Sequence, residues 1–174
     1  VYEQYRVGGK LDKVLEGAKN IVRWKKELHS KTPFIVFQFL VVRPNEHQID
    51  SVKELAKEIG VDDLWLKTAQ VYDYENDPNK LIPTIEKYSR YKKNKSGAVD
   101  IKNNLLNHCW RAWHATVITW DGLVVPCCFD KDAMHQLGNL KTQSFKEIWH
   151  NDNYKQFRSE LMKSRKNIDI CANC

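Results

Sequence analysis

Apolar residues recur with helical spacing from Leu11 to Leu28, at Leu11, Val14, Leu15, Ala18, Ile21, Val22 and Leu28, and predict a helix. After Pro33 the pattern becomes a continuous apolar run, Phe34 to Val42, broken only by Gln38. Its β-branched and aromatic content and its shortness predict a strand buried on both faces. Asn45, with Gln48 three residues on, predicts an N-cap. The helix after it carries Ile49, Val52, Leu55, Ala56 and Ile59 on one face, and Gly60 is its expected stop. A second strand is predicted near Leu64 to Val71. Strand, helix and strand with short connections make a right-handed βαβ unit with a parallel pair. Parallel sheets need neighbours and covered faces. Residues outside this sequence, or another chain, are therefore expected to complete the sheet, and Val1 reads as a cut point in a longer protein.

From about Tyr72 to Asn107 the chain is polar, with Pro78, Pro83, a lysine cluster and Gly97, and reads as a connector with a helical stretch from Leu81 to Tyr91. The texture changes at Cys109. Ala115–Trp120 and Leu123–Phe129 read as strands, joined at Asp121-Gly122. A two-residue type I′ turn there sets Trp120 opposite Leu123 and Thr116 opposite Cys127. Gly138-Asn139 predicts another turn, Ser144-Phe145-Lys146-Glu147 a capping box opening a short helix, and Asn153 to Ser164 a second helix with Tyr154, Phe157 and Leu161 on one face.

The formal net charge of +6 over 174 residues lies largely in Lys92, Lys93, Lys95 and a C-terminal helical stretch from Lys155 to Lys166. Without a nucleic-acid motif, solvated helix faces explain this charge better than an RNA or DNA surface. No apolar run has the length of a transmembrane helix, and the start lacks the apolar segment of a signal peptide. This favours a cytoplasmic setting.

Composition changes the picture most at cysteine. All five cysteines follow residue 108. In a reducing compartment such clustering points to metal or redox chemistry rather than disulfides. Cys109, twelve residues, Gly122, four residues, Cys127, and then Cys171-x-x-Cys174 make a set of four thiolates that a hairpin and two helices can bring together. Cys128, next to Cys127 on a predicted strand, points to the opposite face. It is left out of the set and is its natural substitute. Spacing alone leaves an iron–sulfur cluster and a structural four-cysteine zinc site level. The zinc alternative implies a stapled module binding RNA or a protein partner. His108, His114 and His135 lie near the cysteines in sequence and read as surface or packing residues. Gln38 and Lys67, polar in otherwise apolar strands, are candidate pocket residues.

The run from Cys109-Trp110 through Trp120-Asp121-Gly122-Leu123-Val124-Val125-Pro126-Cys127-Cys128, Gly138-Asn139, Ser144 to Trp149, Phe157-Arg158 and Cys171-Ala172-Asn173-Cys174 resembles the SPASM domain of radical S-adenosylmethionine enzymes. With cysteines for one cluster, it is closer to the shortened twitch version. Tyr5-Arg6-Val7-Gly8-Gly9 and the βαβ unit resemble the later strands of the barrel in those enzymes. The resemblance implies an α/β fold: a partial (β/α) barrel over residues 1–75, a connector over 76–108, and a small α+β SPASM/twitch domain over 109–174. It implies an auxiliary [4Fe-4S] cluster on Cys109, Cys127, Cys171 and Cys174, serving electron transfer or substrate positioning. Arg6 becomes a candidate cofactor contact. The catalytic C-x-x-x-C-x-x-C is absent, so S-adenosylmethionine and a second [4Fe-4S] cluster are implied only for an intact enzyme that includes an N-terminal half. Such an enzyme is an oxidoreductase acting on a peptide, protein side chain or sugar. The resemblance further implies a reducing partner such as flavodoxin or ferredoxin, and an anaerobic or oxygen-avoiding bacterium.

Overall fold

A parallel β–α–β unit forms the centre of the N-terminal part of the computed structural model, which describes residues 2–6 and 8–174. The expectations attached to Val1 and Val7 lie outside the described residues. The chain divides into two units, Val1–Lys102 and Asn103–Cys174.

In the first unit a short helix α1 (Tyr2–Tyr5) precedes α2 (Leu11–Glu27), close to the predicted span. Strand β1 (Val36–Val41) pairs in parallel with β2 (Asp63–Thr68), with Gln38 opposite Trp65 and Leu40 opposite Lys67. Helix α3 (Ile49–Ile59) crosses between them and ends on Gly60, whose φ of 83° is the left-handed conformation that glycine adopts without a Cβ penalty. Ile49, Ala56 and Ile59 are buried.

Two expectations change here. The first strand is not buried on both faces. Gln38 and Leu40 are exposed, as are Trp65 and Lys67 beside them, so one face of the pair is open. The predicted N-cap also has another role. Asn45 sits in a 3-10 turn, Arg43–Gln48, and α3 begins only at Ile49. The buried Asn45 side chain accepts from Val42 N–H (2.8 Å) and donates to the Leu40 carbonyl (2.9 Å), closing the end of β1.

The segment expected to be a helical connector is folded onto the first unit. It holds a 3-10 turn, Glu86–Tyr88, and an antiparallel hairpin of β3 (Tyr91–Lys93) and β4 (Val99–Ile101), with no α-helix from Leu81 to Tyr91. Side chains capture the amides that a helix would use. Asp77 accepts from Leu81 and Ile82 N–H, and Glu46 accepts from Thr84 and Ile85 N–H. Pro83 also removes a donor. Tyr91 fixes the hairpin through its hydroxyl to the Val71 backbone and stacks on Tyr74 at 4.9 Å. The break between the units therefore falls after Lys102.

The second unit is a small α+β fold. Helix α4 (Arg111–His114) leads to a three-stranded antiparallel sheet of β5 (Val117–Ile118), β6 (Leu123–Val125) and β7 (Gly138–Asn139), then α5 (Phe145–His150), α6 (Asp152–Ser164) and α7 (Asp169–Ala172). The capping box is present: Ser144 Oγ accepts from Glu147 N–H, and the Glu147 carboxylate accepts from Ser144 N–H. Asn151 caps α6, whose Tyr154, Phe157 and Leu161 are buried on the predicted face. They pack with Val124, Leu137 and Ile148.

The hairpin register is one residue away from the expected one. Val117 lies opposite Val125 and Ile118 opposite Val124. Thr119 closes the loop, with N–H to the Leu123 carbonyl at 2.9 Å, and its hydroxyl oxygen accepts Leu123 N–H at 3.0 Å. Three residues, Trp120 to Gly122, fill the turn, and of these only Gly122, at φ 90°, needs the left-handed region. Gly138-Asn139 is an edge strand on β6 rather than a turn.

Candidate metal centre

The predicted thiols sit in or beside short elements. Cys109 precedes α4, and its carbonyl accepts Ala112 N–H at 3.1 Å. Cys127 follows β6. Pro126 lacks the N–H that would extend the ladder, so the strand stops at Val125 and residues 127–130 turn, with Asp130 N–H to the Cys127 carbonyl at 3.2 Å. The expectation that Cys127 and Cys128 alternate along a strand is corrected by this turn. Cys128 is exposed, and Arg111 Nη1 approaches its sulfur at 3.9 Å. Cys127 is half-buried.

Cys171 lies in α7 and Cys174 two residues beyond it. The Ile168 carbonyl accepts N–H from Cys171 and Ala172, both at 2.9 Å, and the Cys171 carbonyl accepts Cys174 N–H at 3.1 Å. Asn103 Nδ2 holds the Cys174 carbonyl at 3.1 Å. Cys171 is buried at 7% exposure, within the core of this unit, and Cys109 packs against that core.

Burial, joined by the neighbouring thiols of Cys127, Cys109 and Cys174, pushes the Cys171 thiol up to about 12, while Arg165 pulls the other way. Burial also raises Cys127, as do Cys128 and Cys174, against the N–H groups of Phe129 and Asp130 that hydrogen-bond its sulfur. Such N–H groups are the donors that stabilise a metal-bound thiolate. Among the described residues no group of three or more His, Cys, Asp or Glu side chains is placed to hold a metal ion.

Sequence reasoning gave Asp130 and Asp169 no role. The carboxylate of Asp130, 4% exposed, accepts from Met134 and His135 N–H at 2.8 and 2.9 Å and so folds the loop after Cys127. His135 then bonds Asp169 at 2.6 Å, tying that loop to α7. That hydrogen bond from His135 holds the Asp169 carboxyl below its ordinary range. A buried aspartate followed by acceptor-seeking amides four and five residues on is an Asx-type signal that local sequence contains. The link to Asp169, across 34 positions, is not. His114 stacks on Trp110 at 3.6 Å, a packing role.

In the first unit, Gln38 and Lys67 share the open face of the strand pair, and the Lys67 ammonium lies 4.9 Å from the Trp65 ring centroid, a cation–π contact. Gln38 also lines a cavity of about 430 Å³ with Phe37, Phe39, Val52 and Leu55. Arg6 is exposed, and its carbonyl accepts Gly9 N–H at 2.8 Å. The first unit alone thus brings Gln38 and Lys67 to one face.

Comparison with known proteins bears on the second unit. Residues 109–174 match the model of the SPASM family, an iron–sulfur cluster-binding domain. A stretch of 67 residues is 36% identical to the S-adenosyl-L-methionine-dependent 2-deoxy-scyllo-inosamine dehydrogenase of Niallia circulans, covering 38% of this chain and 27% of that enzyme. The chain therefore spans about a quarter of the length of the curated relative it matches. A crystal structure of BtrN in an open conformation overlays on 90% of this chain and 63% of that one, with a TM-score of 0.36 and 19% identity. No described helix is long and apolar enough to cross a membrane.

Proposed function

We propose that residues 109–174, which match the SPASM iron–sulfur cluster-binding family, are such a domain of a radical S-adenosylmethionine enzyme, and that Cys109, Cys127, Cys171 and Cys174 hold one auxiliary [4Fe-4S] cluster. The observation that carries the reading is the burial of Cys171 in the core against which Cys109 packs, within the stretch that matches the cluster-binding family. Four soft sulfur donors suit iron–sulfur ligation. A bound cluster supplies one-electron chemistry.

The chain's own residues supply the rest. The N–H groups of Phe129 and Asp130 face the Cys127 sulfur and stabilise negative charge there. Leu161, Ile168 and Tyr154 exclude water from the core beside Cys171. Four thiolates leave no iron open to substrate, so the domain's role is electron transfer rather than substrate ligation. Cys128, exposed in the turn, is outside the set.

The first unit is the later part of a (β/α) barrel, whose open strand face, with Gln38, Lys67 and Trp65, looks toward substrate and whose Arg6 contacts cofactor. The intact enzyme is a radical S-adenosylmethionine oxidoreductase of the cytoplasm of an oxygen-avoiding bacterium. It carries a second cluster and S-adenosylmethionine on an N-terminal half and is reduced by a flavodoxin or ferredoxin. Its substrate is a peptide, a protein side chain or a sugar. The chain itself has no C-x-x-x-C-x-x-C and is inactive alone.

Anaerobic purification of this chain tests the cluster. Brown protein containing iron and acid-labile sulfide is expected. Colourless protein with one zinc would overturn the reading in favour of a stapled binding module. Alanine at Cys109, Cys127, Cys171 or Cys174 abolishes the colour, whereas Cys128→Ala leaves it.

A further inference from the structure

The stretch that leads into Cys109 has no ladder or helix to set its path. Residues 103–108 lie between β4 and α4, and among the described residues their backbone bonds only locally, Leu106 N–H to the Asn104 carbonyl at 3.1 Å. The polar ties of the stretch to the rest of its unit are two side chains, Asn103 and Asn107.

Asn107 reaches the break at the end of α6. Its Nδ2 donates to the Lys163 carbonyl at 2.9 Å, and its Oδ1 accepts Arg165 N–H at 3.1 Å. The last carbonyls of a helix have no partner within it. Here the chain leaves α6 after Ser164 for a 3-10 turn, Arg165–Asn167. One carboxamide meets a donor and an acceptor at once, which an ionised carboxylate cannot do.

From Arg165 a series of backbone bonds runs to the C-x-x-C. The Arg165 carbonyl accepts Ile168 N–H at 3.3 Å, the Ile168 carbonyl accepts Cys171 N–H at 2.9 Å, and the Cys171 carbonyl accepts Cys174 N–H at 3.1 Å. Asn103 closes the series, its Nδ2 donating to the Cys174 carbonyl at 3.1 Å. Two asparagines four residues apart thus grip both ends of the segment that bears Cys171 and Cys174, and Asn107 stands two residues before Cys109. Cys109 itself packs against the core that holds Cys171.

We propose that Asn107 and Asn103 are positioning residues for the cluster: they lock the stretch entering Cys109 to the two ends of the segment carrying Cys171 and Cys174, and so fix the spacing of these three thiols. Each acts through the backbone. Their hydrogen bonds are exposed, and an exposed hydrogen bond adds little to the stability of a fold because water offers the same groups a partner. The effect of the pair therefore falls on the geometry of the ligands. Removing groups that orient metal ligands costs about 10–100-fold in metal affinity.

The inference rests on the cluster reading above. Its test uses the anaerobically reconstituted full chain as wild type, Asn107→Ala, Asn103→Ala and Ser144→Ala. The last removes the cap of α5 and controls for general loss of stability. The rate at which a ferrous chelator strips iron is measured. So is the electron paramagnetic resonance spectrum of the dithionite-reduced cluster, which depends on how the thiolates are oriented around the iron. Both asparagine variants are expected to lose iron about 10–100-fold faster and to give a shifted spectrum, while Ser144→Ala does neither. A wild-type spectrum or a wild-type rate in either asparagine variant overturns the inference alone, as does equally fast loss from Ser144→Ala. Where an alanine variant takes up no iron, the aspartate variant at that position, which keeps the shape and loses the donor, decides. A loaded cluster with a shifted spectrum then supports the inference, and a wild-type spectrum or no uptake overturns it. A wild type that takes up zinc and no iron overturns this inference and the cluster reading together.

Discussion

Gly138→Ala measures how tightly β7 is clamped against α5, whose Ile148 lies in the same core as Cys171. A Cβ at Gly138 would lie 2.6 Å from Ile148 Cγ1, 2.9 Å from Cγ2 and 3.0 Å from Cδ1. Carbon atoms in contact settle at about 3.5–4.0 Å, so the nearest approach is short by roughly 1 Å. Ile148 is fully buried and Gly138 is bonded across to Val124, which leaves neither side room to retreat. Overpacking of this kind costs about 1–3 kcal/mol. Loss of glycine's freedom in the unfolded chain returns about 0.4–1 kcal/mol, because φ at Gly138 is not positive. The net expectation is a loss of about 1–2 kcal/mol. Denaturant unfolding of the full chain under anaerobic conditions, with an unchanged slope, reads it. The decisive step is a double-mutant cycle with Ile148→Ala. That change alone costs about 2–5 kcal/mol, yet in its background Gly138→Ala becomes neutral or stabilising. Equal cost of Gly138→Ala in both backgrounds, or no cost in either, refutes the steric account.

Three further outcomes follow from local features. Ser144→Ala removes the hydroxyl that accepts Glu147 N–H and is expected to cost about 1 kcal/mol in the same unfolding assay. Glu46 is held below its ordinary range: burial raises it, but the Thr84 hydroxyl and the N–H groups of Ile85 and Thr84 outweigh burial. Its folded value thus lies below its unfolded one, so its contribution is complete above about pH 4.3 and is lost as pH falls through the folded value. The stability gap between wild type and Glu46→Gln should narrow on that acid limb, and a gap independent of pH would contradict it. Trp120, 98% exposed at the hairpin tip, is expected to tolerate Ala within about 0.5 kcal/mol.

The parts of the fold that were legible are those set by neighbours in sequence. The periodicities of α2, α3 and α6, the Gly60 stop and the Ser144 box all act within four residues, and each is present. The misread parts are those where a side chain from elsewhere competes. Glu46, 38 positions before Thr84, takes amides that a helix from Leu81 would have used. Thr119 uses its own hydroxyl to close a three-residue loop, where Asp121-Gly122 alone suggested two. Gly138-Asn139 reads as a turn because glycine is usually there for conformation. Its φ is ordinary, and the requirement for glycine comes from Ile148, ten positions on.

The same distinction applies at the cysteines, and it bears on what holds the site. Type and spacing mark four thiols, but nothing near Cys127 in sequence reveals what aims it. In the structure the aim comes from two devices in series. Pro126 ends β6 so that the chain turns at Cys127, and the buried Asp130 carboxylate folds the next five residues so that His135 reaches Asp169 on α7. The loop is thereby fastened at one end to the segment bearing Cys127 and at the other to the helix bearing Cys171. Asp130 is the more demanding of the two groups, since at 4% exposure it has exchanged water for two backbone donors. Removing the carboxylate leaves Met134 and His135 N–H to find other acceptors and slackens the fastening without touching a sulfur. This interaction couples the hairpin to the C-terminal turn.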